Sequence, residues 1–377
     1  MTTMTTIKTG MVIKTGMVMM KRMSNMGAVK TLQQRANVAT SSSASSSSSS
    51  FFHGVFPIMA TPFRKDESVD LEGFARAVRF MERAGADGVT ITGVLGESNR
   101  MTDSEREKLI RAAVGAVAQC GRPFPICVGT SHAGTAATVA LSQMAAELGA
   151  SAVMVTPNKE PTPSSDDTLV ELYARVARGC PELPIVLQDH PASTQVHMSP
   201  RLVARIAHEV DTVACIKLEA LPTPARIAAL HALWAGEMPR ANPACTILTG
   251  LGALYAGFDM EQGTAGFMTG FAFPEILRAM NDAAQAGDME RAHAIYRRFL
   301  PLIVFEQQPG VAVRKELYRL RGLIDNAHVR HPAAPRAAPA LTMALAAQLE
   351  RSLPGIDITE PIPQEVVVGG GSVRKHL

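Results

Sequence analysis

The sequence predicts an α/β protein, a (β/α)8 TIM barrel with additional C-terminal helices. Three observations support this fold class: short apolar runs recur along the chain, helical stretches separate them, and the alternation fills residues 51–286. The runs are rich in Val and Ile and lack the polar alternation of a sheet that faces water on one side. Such a composition is typical of parallel strands that are covered on both faces, and eight strands with their helices fit a barrel.

The predicted strands follow one another at regular intervals. They span residues 54–61, 88–93, 124–130, 151–157, 183–189, 212–218, 245–250 and 264–270. A doubly wound sheet is the alternative, but it requires a Gly-rich phosphate-binding turn after the first strand. The sequence MATPF at residues 59–63 is not such a turn.

Amphipathic helices are predicted between the strands and after the barrel. The clearest cover residues 70–85, 103–119 and 135–149, and the later ones cover residues 288–304, 310–322 and 339–352. Thr102 or Asp103 can cap the second helix, which carries Glu105 in its first turn. Gly85 and Gly149 lie where helix C-terminal caps belong.

The two ends of the chain differ in composition from the barrel. Residues 1–50 contain six Lys or Arg and no Asp or Glu, and they end in a serine run. This composition is typical of an organelle transit peptide, so we expect a disordered targeting segment that directs the protein to the mitochondrion or plastid. A disordered tail without an address, in a cytoplasmic protein, is the alternative. Residues 287–354 are interpreted as a helical extension and residues 355–377 as a flexible tail.

Bulk composition narrows the function classes. The chain of 377 residues is 46% hydrophobic and 19% charged, as in soluble globular proteins, and its net charge is +3. No basic stripe crosses the barrel and no apolar run is long enough to span a bilayer, so neither nucleic acid nor a membrane is an expected partner. The five cysteines form no CxxC pair and are interpreted as reduced thiols. No metal is expected, since the nearest ligand spacing, His328 and His331, lies in a Pro-rich segment after the barrel.

One charged residue interrupts the buried strands. Lys217 lies in the run VACIKLEA, residues 213–220, at the C-terminal end of the sixth predicted strand, where barrel enzymes place reactive side chains. With a period of two, Val213, Cys215, Lys217 and Glu219 share one face. If that face points inward, Lys217 enters the barrel mouth. The structural alternative is a lysine that snorkels at the strand end or pairs with Glu219.

A lysine at a barrel mouth can act as a nucleophile once its amine is neutral. An apolar pocket disfavours the ammonium form and lowers the pKa of a lysine from its reference value near 10.4. The apolar neighbours of Lys217 in the sequence suit such a pocket. The neutral amine would form a Schiff base with a ketone or aldehyde, and the protonated imine would permit cleavage, condensation or elimination at the adjacent carbon.

Seven segments match, in order, the motifs of one known family. They are GVFPIMATPF (54–63), GVLGES (93–98), VMVTP (153–157), LQDHPAST (187–194), CIKLEA (215–220), QGTAGFMTGFAFPE (262–275) and VRKELYRLRGLI (313–324). The chain thereby resembles the dihydrodipicolinate synthase / N-acetylneuraminate lyase family of Schiff-base lyases over about residues 54–332. The resemblance implies a barrel enzyme that needs no cofactor beyond the covalent Schiff base on Lys217, and it suggests a homotetramer.

The resemblance implies a catalytic group around Lys217. Gln188 aligns with the family's catalytic tyrosine, but an amide orients a substrate without transferring a proton. His190 follows Gln188 by two residues and Glu219 follows Lys217 by two, so these side chains are the candidates to move protons instead. Ser193 aligns with the arginine that grips a second carboxylate in the synthase branch.

A substrate-binding group is implied as well. In the family, the GxxGE turn cradles the carboxylate of a 2-oxo acid, and here Gly93, Val94, Leu95 and Gly96 form it. Val94 and Leu95 replace two threonines, so their hydroxyl contacts are lost and the amides of Leu95 and Gly96 are expected to remain. The predicted substrate-binding group is completed by three residues from the first and last barrel strands: Thr61, Gly266 and Phe267.

The predicted function is a Schiff-base-forming lyase, an aldolase or dehydratase, that acts on pyruvate or a related 2-oxo acid. Dihydrodipicolinate synthesis itself is disfavoured, because Gln188 and Ser193 depart from the synthase pattern. The alternative from another class is a catalytically altered barrel that binds a metabolite or protein partner without turnover. The second substrate and the direction of the reaction stay open.

Overall fold

A computed structural model describes residues 51–158, 160, 164–307, 310–334 and 336–369. The predicted targeting segment of residues 1–50 and the end of the predicted tail, residues 370–377, lie outside these ranges. Within the described residues, parallel strands form one sheet: β1 (Gly54–Val55), β2 (Val89–Ile91), β3 (Ile126–Gly129), β4 (Ala152–Val155), β5 (Ile185–Asp189), β6 (Val213–Leu218), β7 (Thr246–Thr249) and β8 (Gly266–Phe267).

The sheet closes into a barrel. Its strand order is β1-β8-β7-β6-β5-β4-β3-β2, and just after β1 the residue Ile58 forms a parallel bridge with Thr90 of β2. The amide of Met59 donates to the Thr90 carbonyl at 2.8 Å. The predicted fold class is therefore confirmed, and each strand lies inside its predicted run.

The helices surround the barrel and continue beyond it. Those of the barrel are α1 (Leu71–Arg83), α2 (Asp103–Val117), α3 (Thr135–Glu147), α4 (Asp166–Gly179), α5 (Pro191–Thr194), α6 (Pro200–Glu209), α7 (Thr223–Ala235), α8 (Ala256–Glu261) and α9 (Pro274–Gln285). The later ones are α10 (Met289–Glu306), α11 (Val311–Leu320), α12 (Pro339–Ser352) and α13 (Gln364–Val368). Thr102 caps α2 in a capping box with Glu105, and Gly85 and Gly149 take the left-handed conformation after their helices, with φ of 84° and 94°.

Two apolar layers fill the barrel and its wall. Inside the barrel pack the inward-facing strand residues, including Ile58, Cys127, Met154, Val186, Cys215, Leu248 and Met268. A second and larger layer lies between the outer face of the strands and the helices, and it includes Ile91, Val155, Leu187 and Ile216. Both faces of each strand are thus covered, which explains why the strands read as continuous apolar runs.

A β-bulge shifts the alternation of β6. Ile185 pairs with Val213, but the next residue of β5, Val186, pairs with Cys215, so Ala214 is an extra residue. As a result Val213 belongs to the outer layer, and the prediction that it shares a face with Cys215 and Lys217 is wrong. From Cys215 onward the period of two holds.

The C-terminal segment packs on the barrel as far as Gly369. Val367 in α13 is fully buried and Ile362 nearly so, and the amide of Ile362 donates to Glu275 Oε1 of α9 at 3.2 Å. The expectation of a flexible tail does not hold for residues 355–369, because their spaced apolar residues reach the outer layer.

Three further observations concern the expected absences. No helix within the described ranges is both long and apolar enough to cross a membrane. The same residues contain no cluster of three or more His, Cys, Asp or Glu with which to hold a metal ion. All five cysteines are free thiols, and four of them are buried.

Candidate active site

A cavity of about 180 Å³ opens at the C-terminal ends of the barrel strands. Its size suits a small metabolite, since pockets for drug-sized ligands take roughly 300–1,000 Å³. It is lined by Ile58, Val94, Leu95, Gln188, His190, Lys217, Glu219, Leu251, Gly252, Thr269, Gly270, Gln307, Gly310 and Arg314. All four predicted catalytic residues line it, together with two of the predicted substrate-binding residues.

Lys217 projects into this cavity from the C-terminal end of β6. It lies in register with Gln188 on β5 and Leu248 on β7, and its side chain is only 5% exposed. Its Nζ lies 3.1 Å from Glu219 Oε2, so the pairing considered as an alternative is present at the barrel mouth itself. The surroundings of the amine are more polar than the apolar pocket that the sequence suggested.

Glu219 is held in place from three sides. Gln188 Nε2 donates to Glu219 Oε2 at 2.7 Å, and the amide of Leu251 donates to Oε1 at 3.3 Å. A Cβ atom added to Gly250 would lie 2.2 Å from Oε1, so the absence of a side chain there makes room for the carboxylate. Burial opposes ionisation of Glu219, but the charge of Lys217 and the Gln188 hydrogen bond outweigh it and lower the pKa of Glu219.

His190 lies at the rim, just before the short helix α5. Its Nδ1 is 2.6 Å from Ser193 Oγ, a contact that fixes the ring. Burial lowers the pKa of His190 and Lys217 adds to this effect, while Glu219 opposes it. The imidazole is therefore mainly neutral at pH 7 and can accept a proton.

Asp189, between Gln188 and His190, turns away from the cavity. Its Oδ2 accepts from Arg226 Nη2 at 2.8 Å, and the same guanidinium donates to the Met198 carbonyl. Burial raises the pKa of Asp189 to about 6, although Arg226 opposes this shift. The pair ties the loop after β5 to α7, which is a structural role.

The turn after β2 forms as predicted, but its amides are used differently. Val94–Gly96 is a 3-10 turn in which the amide of Gly96 donates to the Gly93 carbonyl at 3.0 Å. The Gly96 amide is thus already engaged, contrary to expectation, whereas that of Leu95 donates no hydrogen bond within the described residues. Thr61 Oγ1 donates to the Gly96 carbonyl at 2.6 Å. Gly93, Gly96 and Thr61 therefore shape the turn from behind and do not line the cavity.

Glu97 anchors the turn to the C-terminal extension. It is buried, with a left-handed φ of 56°, and its carboxylate pairs with Arg100 at 2.7 Å and with Lys315 of α11. Lys315 also lies over the Phe63 ring. Burial lowers the pKa of Lys315 to about 8, with Glu97 opposing the shift.

The residues predicted to line the cavity from β8 do not line it, and residues just after them along the chain do. A Cβ atom at Gly266 would lie 2.0 Å from the Gly54 carbonyl oxygen, so this glycine permits strand packing, and Phe267 is buried in the outer layer. Neither lines the cavity, because β8 ends below the rim. Thr269 and Gly270 reach it instead, and Thr269 Oγ1 accepts from the amide of Gly252 at 2.6 Å.

Comparison with known proteins places the chain in a family. The profile described as the dihydrodipicolinate synthetase family matches residues 51–349. The chain belongs to this family. It is 35% identical over 290 residues to L-2-keto-3-deoxyarabonate dehydratase of Azospirillum brasilense, covering 74% of this chain and 88% of that protein. It is 30% identical over 282 residues to 4-hydroxy-tetrahydrodipicolinate synthase of Chlorobaculum parvum, covering 74% and 90%.

Solved structures of the dihydrodipicolinate synthetase family agree with the fold. The dihydrodipicolinate synthase of Rhodopseudomonas palustris superposes with a TM-score of 0.74 at 29% identity, covering 81% of this chain and all of that one. A prophage protein of the family from E. coli K12, solved in complex with pyruvate, superposes with a TM-score of 0.71 at 26% identity, covering 80% and 98%. The prediction that the protein is an enzyme, a lyase of this family, is confirmed.

Several residues of this family member's cavity were not predicted. Leu251 and Gly252 follow β7, while Gln307, Gly310 and Arg314 come from the C-terminal extension. The turn after β7 takes left-handed φ values at Leu251, Gly252 and Ala253 (52°, 65° and 66°), a conformation that is rare for non-glycine residues and frequent at functional sites. A Gly-Leu-Gly-Ala sequence at a strand end was the available signal, but nothing in the sequence indicated that the extension folds back over the mouth.

Proposed function

We propose that the protein is a Schiff-base-forming lyase that acts on pyruvate or a related 2-oxo acid, with Lys217 as the nucleophile. One observation carries this proposal: the Lys217 amine projects into a small cavity at the barrel mouth, 3.1 Å from the carboxylate of Glu219. An amine needs a proton acceptor before it can attack a carbonyl, and Glu219 is within reach of that proton.

The covalent step follows from these positions. Lys217 transfers a proton to Glu219 and attacks the keto carbon to give a carbinolamine. Glu219 returns that proton to the carbinolamine hydroxyl, which leaves as water, and a protonated imine remains. The iminium carbon then withdraws electrons from the neighbouring C3 carbon. A base at the cavity wall can remove a proton from C3, and the candidates are the carboxylate of Glu219 and the imidazole of His190.

The fate of the C3 centre depends on the substituent at C4. If C4 carries a hydroxyl, loss of the C3 proton and of that hydroxyl as water is a dehydration, whereas deprotonation of the hydroxyl breaks the C3–C4 bond in an aldol cleavage. We favour a dehydratase or aldolase that acts on a 2-oxo-3-deoxy sugar acid. The relative from Azospirillum brasilense is named a dehydratase of such an acid, and Gln188 and Ser193 lack the groups of the synthase pattern.

Borohydride trapping tests the covalent step. The protein is incubated with pyruvate, reduced, digested and analysed by mass spectrometry, and we expect an adduct on Lys217 that Lys217→Ala abolishes. Lys315→Arg is the matched control, since Lys315 is also buried but lies outside the cavity. If neither pyruvate nor a panel of 2-oxo acids gives an adduct, the protein is a binding barrel without this chemistry. A turnover screen of C4–C6 2-oxo-3-deoxy acids then identifies the substrate.

Two further proposals concern the location and assembly of the protein. We propose that residues 1–50 direct it to the mitochondrion or plastid, because they are basic and free of acidic residues; fusing them to a fluorescent protein tests this, and a cytoplasmic signal contradicts it.

We also propose a homotetramer by family analogy. Light scattering of the purified protein tests this proposal, and a monomeric dihydrodipicolinate synthase variant is among the similar structures.

A further inference from the structure

A buried arginine in the cavity wall has an unused donor. Arg314 of α11 is 2% exposed and lines the cavity. Its Nε donates to Glu306 Oε1, and Glu306 in turn accepts from the amide of Ala272 with both oxygens, at 3.1 and 3.0 Å. No hydrogen-bond acceptor for Nη1 is found among the described residues. A buried donor without a partner is costly, so this atom points to a missing acceptor.

The position of Nη1 can be read from Gly270. A Cβ atom added there would lie 1.6 Å from Arg314 Nη1 and 2.3 Å from Leu95 Cδ1. The guanidinium therefore occupies the space that glycine leaves free, directly beside the turn after β2. Gly270 and Leu95 both line the cavity, so the unused donor lies at its wall.

The side of the cavity formed by Arg314 and Leu95 is suited to bind an anion. Arg314 and the free amide of Leu95 are donors only, and Glu219 is the one carboxylate among the described residues that line the cavity. Glu219 is engaged by Lys217, Gln188 and Leu251, and Glu306 lies behind the guanidinium. A guanidinium binds a carboxylate with well-matched geometry, and a carboxylate fits a cavity of this size.

We propose that Arg314 binds the carboxylate of the 2-oxo acid, together with the amide of Leu95. This inference rests on the proposed function and deepens it. Val94 and Leu95 supply no hydroxyl to the carboxylate, and a charged donor from the C-terminal extension takes over that contact. The carboxylate of a 2-oxo acid is bonded directly to the keto carbon that Lys217 attacks, and in this arrangement it points from that carbon toward the side of β8 and β2.

The test compares two carbonyl probes on Arg314 variants. Pyruvate carries a carboxylate and hydroxyacetone does not, while both can form an imine with Lys217. In Arg314→Gln we expect the pyruvate concentration for half-maximal borohydride trapping to rise roughly 10- to 100-fold, because a charge-assisted hydrogen bond to the carboxylate is lost. The hydroxyacetone concentration for half-maximal trapping should not change. Arg314→Lys keeps the positive charge but loses the two parallel donors of the guanidinium, so its half-maximal pyruvate concentration should lie between those of the wild type and Arg314→Gln. Arg321→Lys is the matched control, because Arg321 is equally buried but bonded to Glu275 outside the cavity.

Further variants and controls distinguish loss of carboxylate binding from loss of stability and from failure of the proposed function. Arg314→Gln leaves Glu306 buried without its partner, so the double variant Arg314→Gln/Glu306→Gln removes both charges and should show the same loss in a stable protein. Gly270→Ala displaces the guanidinium without changing any charge, and it should weaken pyruvate trapping alone. Unchanged pyruvate dependence, or an equal loss with hydroxyacetone, overturns the inference. Absence of a wild-type pyruvate adduct instead overturns the proposed function, and this inference with it.

Discussion

Replacing Glu219 by Gln should separate Schiff-base formation from proton transfer. At 3.1 Å, the charges of Lys217 and Glu219 attract each other by about 5 kcal/mol at an effective dielectric constant of about 20, and burial of both groups offsets much of this. Glu219→Gln removes the charge but keeps the shape and one oxygen for Gln188. The variant also removes the group proposed to accept the Lys217 proton, so the pyruvate adduct should form more slowly. Because the amine remains and its ammonium form loses an attraction, the adduct should still form once water takes that proton.

Proton transfer should suffer far more. A positioned acid or base typically contributes roughly 10²–10⁴-fold to a rate, which corresponds to about 3–5 kcal/mol of barrier. Exchange of the methyl protons of pyruvate in D₂O, followed by NMR, measures removal of the C3 proton without knowledge of the second substrate. Glu219→Gln should slow this exchange by that factor while the trapped adduct persists. An exchange rate within tenfold of the wild type, or equal loss of exchange and adduct, would exclude Glu219 as the base and leave His190 as the candidate.

Two variants frame this experiment. Gly250→Ala places a methyl group 2.2 Å from Glu219 Oε1, so it should displace the carboxylate and slow exchange in the same direction with all charges retained. Glu275→Gln is the matched control, because Glu275 is also a buried carboxylate paired with an arginine, but outside the cavity. It should lower the stability of the fold and leave exchange per folded molecule unchanged.

Two further predictions concern the contacts of the turn and the C-terminal extension. Lys315→Met removes one of the two cations that pair with the buried Glu97 and should lower the free energy of unfolding in urea by roughly 1–3 kcal/mol, since Arg100 remains; adding Glu97→Gln should restore part of it, and failure to do so would contradict the pairing. Hydrogen bonding to Arg330 lowers the pKa of Glu105 from 4.5 to about 2, so this pair stabilises the fold above pH 4.5 and its contribution is lost as the pH falls toward 2, by about 1 kcal/mol because Glu105 is partly exposed and the pair is screened by water. An NMR titration of Arg330→Gln should find the pKa of Glu105 raised from about 2 toward 4.5, with the Thr102 hydrogen bonds still holding it below that value, and an unchanged value would contradict this cause.

Much of the barrel could be predicted because local rules decide it. Apolar runs between helix signals located the strands, and capping residues such as Thr102 and Gly85 located helix ends to within two residues. The bulge at Ala214 could not be predicted, since nothing in an apolar, β-branched run distinguishes an extra residue from a paired one. Its effect is confined to Val213, because the alternation resumes before Lys217.

The residues of the site likewise divide into those that local sequence patterns predict and those that depend on packing between distant parts of the chain. The position of the residues at the ends of β5 and β6 on the cavity could be predicted, because a barrel directs alternate side chains to its mouth and a lysine is rare in an apolar strand. Arg314 was not found because its position depends on how α11 packs over the mouth, far along the chain from the barrel strands. Gly266 and Phe267 were placed too early, since the length of β8 fixes which residues reach the rim and a two-residue strand leaves no periodic signal.

Two of the departures from the family pattern, at Gln188 and at Val94 and Leu95, have a common physical consequence if the proposed function holds. With an amide at Gln188, proton transfer falls to the carboxylate of Glu219, which Gln188 itself holds in place. With Val94 and Leu95 in the turn, the carboxylate contact falls to the guanidinium of Arg314. Both replacements exchange a neutral hydroxyl for a charged group, and each charged group needs a neighbour that orients it within the cavity wall. The cavity is therefore specified by pairs of residues, so reversing Gln188 to a tyrosine alone would remove the hydrogen bond that positions Glu219 without supplying the rest of the family's relay.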